Sequence, residues 1–286
     1  MKKLNIYICF LSFTTMVWSE KVSLRIKRAP IINGQVTTIS KKPYFASIVE
    51  LDNEFKSWCP ICGATIITAQ WLLTAAHCIQ PPIKYLKVRT GTDKYFIPKD
   101  KEELHLHEIL AAIPHPDYSH MNIVNFFDIG LIKLKIPIEC RIGLQMPINL
   151  PTDTLFLKAG TALTIVGFGF NTNQEQQDNT MLPIKLLYGT VRVMEKQDCQ
   201  RIYEDWFIEK TDHHFCATSQ KFEVAKGDSG GPAVYNSYLI GIISSGGQGK
   251  DQYPGLFIDV RKFIGWIKMV IGIDNARSLK KCCAIV

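Results

Sequence analysis

Short apolar runs rich in Val, Ile and aromatic residues recur along the chain from Ile31 onward. They are separated by Gly, Pro, Asn and Asp, the residues that favour turns, so each run predicts a β-strand. Many short strands at this spacing favour an all-β barrel or sandwich. The predicted strands are Tyr44–Leu51, Ala64–Ile67, Leu86–Arg89, Ile129–Leu134, Ala162–Gly167, Leu186–Val193, Gly230–Tyr235, Leu239–Ser244 and Leu256–Val260.

Three segments depart from this strand pattern. Asn171–Thr180 contains no apolar residue and predicts an exposed loop. The proline-flanked segment Met146–Pro151 is the expected crossover between two halves of the chain. Arg261–Ile273 predicts a C-terminal amphipathic helix, because apolar residues recur there at helical spacing. These residues are Phe263, Ile264, Trp266, Ile267 and Val270.

Residues 1–19 have the pattern of a secretory signal peptide. Two lysines precede an apolar stretch from Leu4 to Trp18, and the small residue Ser19 follows it at the expected cleavage site. A signal anchor is the alternative, but crossing the hydrocarbon core takes about 20 apolar residues and this stretch includes several polar ones. Phe263–Ile273 is too short to span a membrane and carries a lysine. We therefore expect a secreted, extracellular protein with no membrane anchor.

Composition narrows the class of protein further. The 286 residues are 47% apolar and 21% charged, which suffices for a hydrophobic core and excludes disorder as the main state. The formal charge of +7 falls to +5 without the two leader lysines and to +2 without residues 20–30. A nearly neutral body has little drive toward phosphate backbones, so we expect no nucleic-acid partner.

Secretion also changes how the 9 cysteines are interpreted. Without Cys9, eight remain, and thiols in an oxidising compartment tend to pair, although spacing alone leaves the connectivity open. A zinc site is disfavoured because Cys59 and Cys62 lack a second matching pair. The pairs His105/His107 and His213/His214 are interpreted as surface or loop histidines, and no metal or other cofactor is expected.

Three segments carry candidate chemistry. They are Thr74-Ala75-Ala76-His77-Cys78, Asp128 at the entrance of an apolar strand, and Gly227-Asp228-Ser229-Gly230-Gly231-Pro232. A hydroxyl is a poor nucleophile unless a base takes its proton, and a neutral imidazole suits that role at pH 7. The imidazole in turn needs a carboxylate to hold its tautomer. The flanking glycines allow a sharp turn that presents backbone N–H groups to an oxyanion.

In this order, in a secreted all-β chain, the three segments resemble the chymotrypsin/trypsin-like serine proteases across nearly all of Ile31–Ile273. The resemblance implies two packed six-stranded antiparallel β-barrels with a C-terminal α-helix. It also implies a protease domain over 31–273, after a short propeptide at 20–30 and before a tail at 274–286. The implied catalytic residues are His77 as general base, Asp128 as its orienter and Ser229 as nucleophile. Gly227 and Ser229 would supply the oxyanion-hole N–H groups.

The resemblance also implies a disulfide pairing and a substrate strand. Cys62 with Cys78 matches the family disulfide of the histidine loop, and Cys199 with Cys216 matches one in the second barrel. Ser244–Gly246 matches the strand that pairs with the substrate backbone. No partners follow for Cys59, Cys140, Cys282 and Cys283.

Activation of a zymogen is a further implication. In the family a new apolar N-terminus inserts and pairs with the aspartate before the nucleophile, and here Ile31 and Asp228 match those positions. The departure is Pro30, which stands where Arg or Lys is usual. We expect a cut after Arg28 followed by removal of Ala29-Pro30, with a single cut after Pro30 as the alternative.

Specificity is the point at which the chain departs most from the family. Glu223 matches the pocket-floor position and is followed by the apolar Val224, while Gly246 and Gly255 match small pocket-wall residues. A carboxylate in a narrow cleft favours a Lys or Arg side chain before the scissile bond. The usual pocket cysteine pair is replaced by Ala225 and Gly249, and Ser245 stands in place of a tryptophan. A looser loop would turn Glu223 away, and the pocket would then accept apolar side chains, as chymotrypsin does.

Two classes of function remain at this point. The first is an endopeptidase whose partners are polypeptide substrates and protein protease inhibitors. The second is a secreted protease-like binding protein with little activity. Retention of His77, Asp128 and Ser229 together favours the enzyme.

Overall fold

A computed structural model describes ten stretches of the chain: residues 34–52, 57–95, 97–121, 124–152, 155–168, 185–203, 212–219, 224, 227–245 and 253–272. The leader, propeptide, predicted loop 171–180 and tail 274–286 lie outside them. Within these stretches, no helix is long and apolar enough to cross a membrane.

The first half of the chain forms a closed six-stranded antiparallel barrel. Its strand order is β2-β3-β4-β9-β6-β5. The strands are β2 (Phe45–Asp52), β3 (Ser57–Ile66), β4 (Trp71–Thr74), β5 (Leu86–Thr90), β6 (Leu106–Pro114) and β9 (Gly130–Leu134). A short hairpin of β7 (Ser119–Met121) and β8 (Val124–Phe126) precedes β9.

The second half forms another antiparallel barrel. Its order is β11-β10-β13-β14-β15-β12, closed by the pairing of β11 with β12, and β1 (Gln35–Val36) adds to the outer edge of β11. The strands are β10 (Ala162–Gly167), β11 (Leu187–Val193), β12 (His214–Thr218), β13 (Pro232–Tyr235), β14 (Tyr238–Ser245) and β15 (Gly255–Asp259). Burial alternates along most of β11, as expected for a strand with one face toward a core.

Helices are few and short in the described residues. They are α1 (Lys99–Glu102), α2 (Lys196–Ile202) and α3 (Ile264–Ile271). A 3-10 turn over Val260–Phe263 leads into α3, which ends at Gly272 in the left-handed conformation (φ +67°) that suits glycine. Ile264 and Ile267 of α3 are buried in the core cluster that also includes residues of both barrels, so the helix closes the junction between them.

The fold class expected from the resemblance, two six-stranded antiparallel barrels with a C-terminal helix, is confirmed. Each predicted strand overlaps an observed one, but the predictions omitted six described strands: β1, β4, β6, β12 and the two strands of the β7–β8 hairpin. One of these is β4, which begins at Trp71. The strands β6 and β12 were missed because they contain histidines or lack the strict alternation of one buried face.

Candidate active site

His77 lies in a short 3-10 turn, Ala76–Ile79, that follows β4. The small residues Ala75 and Ala76 are fully buried and let this turn pack closely against the first barrel. A disulfide between Cys62 of β3 and Cys78 fixes the turn to the barrel wall. The imidazole is thus held on a rigid support while its side chain stays 27% exposed.

Asp128 lies between β8 and β9 and is fully buried. Its Oδ1 accepts a hydrogen bond from the backbone N–H of His77 (2.9 Å), and its Oδ2 lies 2.7 Å from Nδ1 of the same residue. Oδ2 also accepts from the hydroxyl of Ser244 at 2.6 Å. A buried carboxylate is stable only when its oxygens are hydrogen-bonded, and these contacts fix both its position and the ring of His77.

The loop of Ser229 packs directly against the turn of His77. The backbone N–H of Gly63 in β3 donates to the carbonyl of Ser229 at 2.7 Å. The sulfur of Cys78 contacts both this carbonyl oxygen (3.7 Å) and Nε2 of His77 (3.6 Å). One disulfide sulfur therefore lies against both the imidazole edge and the serine loop.

Glycine is required both in this loop and in the strand that it packs against. Gly227 and Gly230 have φ of +101° and +78°, a region that side chains disfavour. A Cβ on Gly63 would lie 2.7 Å from Cα of Gly231, so β3 and the loop approach more closely than any side chain permits.

Asp228 is also fully buried. Its carboxylate lies over the end of β10, where a Cβ on Gly167 would fall only 2.0 Å from Oδ1. Its expected activation partner, Ile31, lies outside the described residues. That pairing stays a prediction.

The expected specificity pocket is described in part. Val224 is 5% exposed, and its Cγ2 would be 3.2 Å from a Cβ built on Gly255, so the two residues face each other. Ser244 is buried with its hydroxyl on Asp128. Glu223 and Gly246 lie outside the described residues.

Both disulfides implied by the resemblance, Cys62–Cys78 and Cys199–Cys216, are present. Cys59 and Cys140, which the sequence left unassigned, are also disulfide-bonded. In the described part of the chain, Cys62, His77 and Cys78 form the one group of three potential metal ligands. The two sulfurs are bonded to each other, so this group is not a metal site.

The interpretation of His213 and His214 as surface or loop residues was wrong about their exposure. His214 begins strand β12, and His213, in the bend directly before it, is only 9% exposed. Burial, with a smaller contribution from neighbouring histidines, lowers the pKa of His213 to about 4 and that of His214 to about 3. His105 and His107 are partly buried and lie against Thr90, 3.0 Å from its carbonyl oxygen and 2.8 Å from its hydroxyl respectively.

Sequence reasoning also missed Asn125, which is buried in β8. Its Nδ2 lies 3.4 Å from both Oδ2 of Asp128 and Nδ1 of His77, and its Oδ1 lies 2.5 Å from Nδ1 of His120. The one available signal was a polar residue three positions before the aspartate. The contacts depend on the β7–β8 hairpin, which the apolar pattern did not predict.

Two closed antiparallel barrels that bring a histidine–carboxylate pair against a Gly-Asp-Ser-Gly loop define the chymotrypsin-like class of proteins. The Trypsin family model matches residues 31–267, and the chain belongs to this family. Mouse serine protease 28 is 30% identical over 271 residues, covering 90% of this chain and 94% of the relative. Chicken trypsin II-P29 is 32% identical over 244 residues, covering 84% and 89%.

Solved structures agree with this assignment. Mouse brain neuropsin, a serine protease, matches with a TM-score of 0.68 and 27% identity, over 84% of this chain and 99% of neuropsin. The scabies mite inactivated protease paralogue S-D1 also has a TM-score of 0.68 but is 22% identical, over 85% and 97% of the two chains. This second likeness concerns the fold alone.

Proposed function

We propose that this chain is a secreted serine endopeptidase that hydrolyses peptide bonds through an acyl-enzyme intermediate. Ser229 is the nucleophile, His77 the general base and Asp128 the residue that orients the base. The observation that carries the proposal is the 2.7 Å contact between His77 Nδ1 and Asp128 Oδ2. On the other edge of the ring, the Cys78 sulfur contacts both Nε2 of His77 and the carbonyl oxygen of Ser229.

The proposed reaction uses these three residues in the following order. The hydroxyl of Ser229 attacks the substrate carbonyl carbon while Nε2 of His77 takes the hydroxyl proton. The N–H groups of Gly227 and Ser229 donate to the oxygen that becomes negative, and such donors typically contribute about 3 kcal/mol each to lowering the barrier. His77 then passes its proton to the leaving amine. A water molecule then attacks the ester carbon while the same imidazole takes one of its protons. The imidazole returns this proton to the Ser229 oxygen, which leaves as the hydroxyl and frees the acid product.

The buried position of Asp228 supports activation by an inserted N-terminus. A fully buried carboxylate on the residue before the nucleophile is sensitive to any charge brought beside it. The new α-ammonium of Ile31 is that charge, and it arises when Arg28 is cut and Ala29-Pro30 is removed. N-terminal sequencing of active protein tests this order, because a fully active form that begins at Ala29 would contradict both this order and a single cut after Pro30.

The substrate is a polypeptide with Lys or Arg before the scissile bond, recognised by Glu223. The second candidate is an apolar residue at that position, and one observation favours it: the buried apolar side chain of Val224 faces Gly255. Peptide libraries that vary Lys, Arg, Phe and Leu decide between them. A strong preference for Phe would overturn the basic specificity.

A fluorophosphonate probe separates the enzyme from a protease-like binding protein. Protein trimmed to Ile31 should be labelled covalently at Ser229, and Ser229→Ala should abolish both labelling and peptide hydrolysis. Untrimmed protein is the matched control and should react slowly. Absence of labelling in correctly trimmed, folded protein would leave binding as the function.

A further inference from the structure

Phe127, the residue immediately before Asp128, has a left-handed backbone with φ of +50°. This conformation is costly for an aromatic residue and persists only where neighbouring groups enforce it. The carbonyl of Phe127 accepts a hydrogen bond from the N–H of Ile129 at 2.7 Å, so the chain turns tightly around Asp128. The conformation of Phe127 therefore determines where the carboxylate of Asp128 points.

Two imidazole rings enclose the ring of Phe127. The centroid of His115 lies 5.1 Å away with the planes 14° apart, and that of His213 lies 4.1 Å away at 29°. The edge of Phe263 closes a third side at 6.2 Å. The backbone N–H of Phe127 donates to Nε2 of His213 at 3.3 Å. His213 thus holds both the ring and the backbone of the strained residue.

The neighbouring residue His214 makes a second hydrogen bond to the same segment of backbone. Its Nε2 donates to the carbonyl of Asn125 at 3.0 Å. The carbonyl of residue 125 and the N–H of residue 127 lie on one edge of an extended chain, the edge that a neighbouring strand would occupy. The two imidazoles, which come from the second barrel, take the place of that strand.

The contact with Phe127 requires neutral His213, because Nε2 can accept only when the single ring proton is on Nδ1. The surroundings favour this state. Burial lowers the pKa of His213, the nearby His115 lowers it further, and Asp212 opposes the shift less strongly. The ring of His214, whose centroid lies 4.6 Å away, carries no negative charge that would favour protonation of His213.

We propose that His213 is a positioning residue: it clamps Phe127 in its left-handed conformation and thereby holds the carboxylate of Asp128 against His77. The proposal rests on the proposed protease function of these residues. His213 touches neither substrate nor reacting atoms, and it acts through Phe127.

The test compares His213→Phe with His213→Gln in trimmed protein. Phenylalanine keeps an aromatic ring against Phe127 but cannot accept a hydrogen bond, whereas glutamine offers a non-titrating acceptor near the position of Nε2. His213→Phe should lower kcat for a peptide anilide about 10-fold, equivalent to about 1.4 kcal/mol, with KM within about twofold. His213→Gln should stay within about threefold of the wild type. Rates are expressed per active site by fluorophosphonate titration, so misfolded protein does not count.

A rescue experiment separates positioning from general packing. Glycine adopts positive φ without strain, so Phe127→Gly should remove the need for the clamp. In that background His213→Phe should change kcat by less than about twofold, a non-additive result. Phe127→Ala is the matched control, because it also removes the ring but keeps the strain, and there His213→Phe should remain costly. Equal effects of His213→Phe in the wild-type, glycine and alanine backgrounds would overturn the proposal.

A spectroscopic measurement separates this proposal from the protease function itself. The proton shared by His77 Nδ1 and Asp128 gives a strongly deshielded NMR resonance when their hydrogen bond is short. It should be lost in His213→Phe and return in His213→Phe/Phe127→Gly, whether or not the protein hydrolyses peptides. If the resonance persists in His213→Phe, the proposed role of His213 is wrong. If the resonance changes as expected but the wild type does not react with the fluorophosphonate, only the protease function is wrong.

Discussion

At the scale of single residues, three groups contact one carboxylate oxygen of Asp128, and we expect them to stabilise its charge to different extents. Its Oδ2 lies 2.6 Å from the Ser244 hydroxyl and 2.7 Å from His77 Nδ1, but 3.4 Å from the amide nitrogen of Asn125. Hydrogen bonds weaken with length, and bonds to a buried charge are stronger than neutral ones. We therefore expect Ser244 to stabilise the carboxylate much more than Asn125 does.

Replacing Ser244 by Ala tests this order against Asn125→Leu. Ser244→Ala should lower the free energy of unfolding by about 1.5–3 kcal/mol, the usual range for a bond to a charged group. Asn125→Leu should lower it by only about 1 kcal/mol, the range for the neutral contact with His120 that this change also removes. Urea unfolding with disulfides intact, in a Ser229→Ala background that prevents self-cleavage, measures both. Equal losses would mean that the short contact has no special weight.

At the scale of elements, close backbone approaches join the serine loop to the strands around it. β3 approaches the loop at Gly63 and β10 approaches Asp228 at Gly167, and at both positions a side chain would collide with the loop. The disulfide Cys62–Cys78 fixes the histidine turn to the same strand β3. The histidine turn and the serine loop are therefore both positioned by the same strand, β3.

Gly167→Ala tests the second approach. The added methyl group would fall 2.0 Å from Oδ1 of the buried Asp228, so the carboxylate and the serine loop must shift. Overpacking of this kind typically costs about 1–3 kcal/mol, and we expect fluorophosphonate labelling to slow by about 10-fold or more.

Gly265→Ala is the control for that change. Gly265 is exposed in α3, and a Cβ there meets nothing within 4 Å. The substitution should stabilise the protein by about 0.5–1 kcal/mol and leave labelling unchanged. Similar labelling rates in the two variants would argue against a tight approach at Gly167.

At the scale of the whole molecule, neutral histidines lie where the barrels and the C-terminal helix meet. His115 belongs to the first half and packs on Trp266 of α3, while His213 and His214 belong to the second barrel. Burial lowers the pKa of His115 as well, although Asp117 acts in the opposite direction. Protonation of any of them would place a charge within a desolvated junction.

This arrangement predicts acid sensitivity in a defined window. Unfolded imidazoles take up protons near pH 6.5, whereas His213 and His214 resist protonation down to about pH 4 and 3. The unfolded state therefore binds more protons as the pH falls, and stability is lost between about pH 6.5 and 4. Each such histidine contributes a slope of up to about 1.4 kcal/mol per pH unit.

Urea unfolding at several pH values checks the slope. His213→Gln removes one of the titrating groups and should flatten it by up to about 1.4 kcal/mol per pH unit. The surface carboxylate Asp212, whose hydrogen bonds to Lys196 and Lys262 hold its pKa at about 2, contributes below this window. A free energy of unfolding that does not change between pH 6.5 and 4.5 would contradict the prediction.

The amino-acid sequence determined the class of fold and the identity of the candidate triad. Strands such as Ala162–Gly167 can be predicted because their buried face imposes a local pattern of apolar residues. The loop around Ser229 can be predicted because its backbone dihedral angles favour glycine. Both constraints act within a few neighbouring residues. Such local constraints can therefore be recognised in the amino-acid sequence.

Tertiary structure alone decided which groups surround the carboxylate of Asp128. Asn125 reaches the carboxylate from the β7–β8 hairpin, and His213, just before β12, contacts the preceding residue Phe127. Nothing in the local sequence of either residue distinguishes it from a surface residue. Solvation and strain depend on atoms that are distant in the chain and near in space. For that reason the buried, neutral state of His213 follows from the tertiary structure and not from the local sequence.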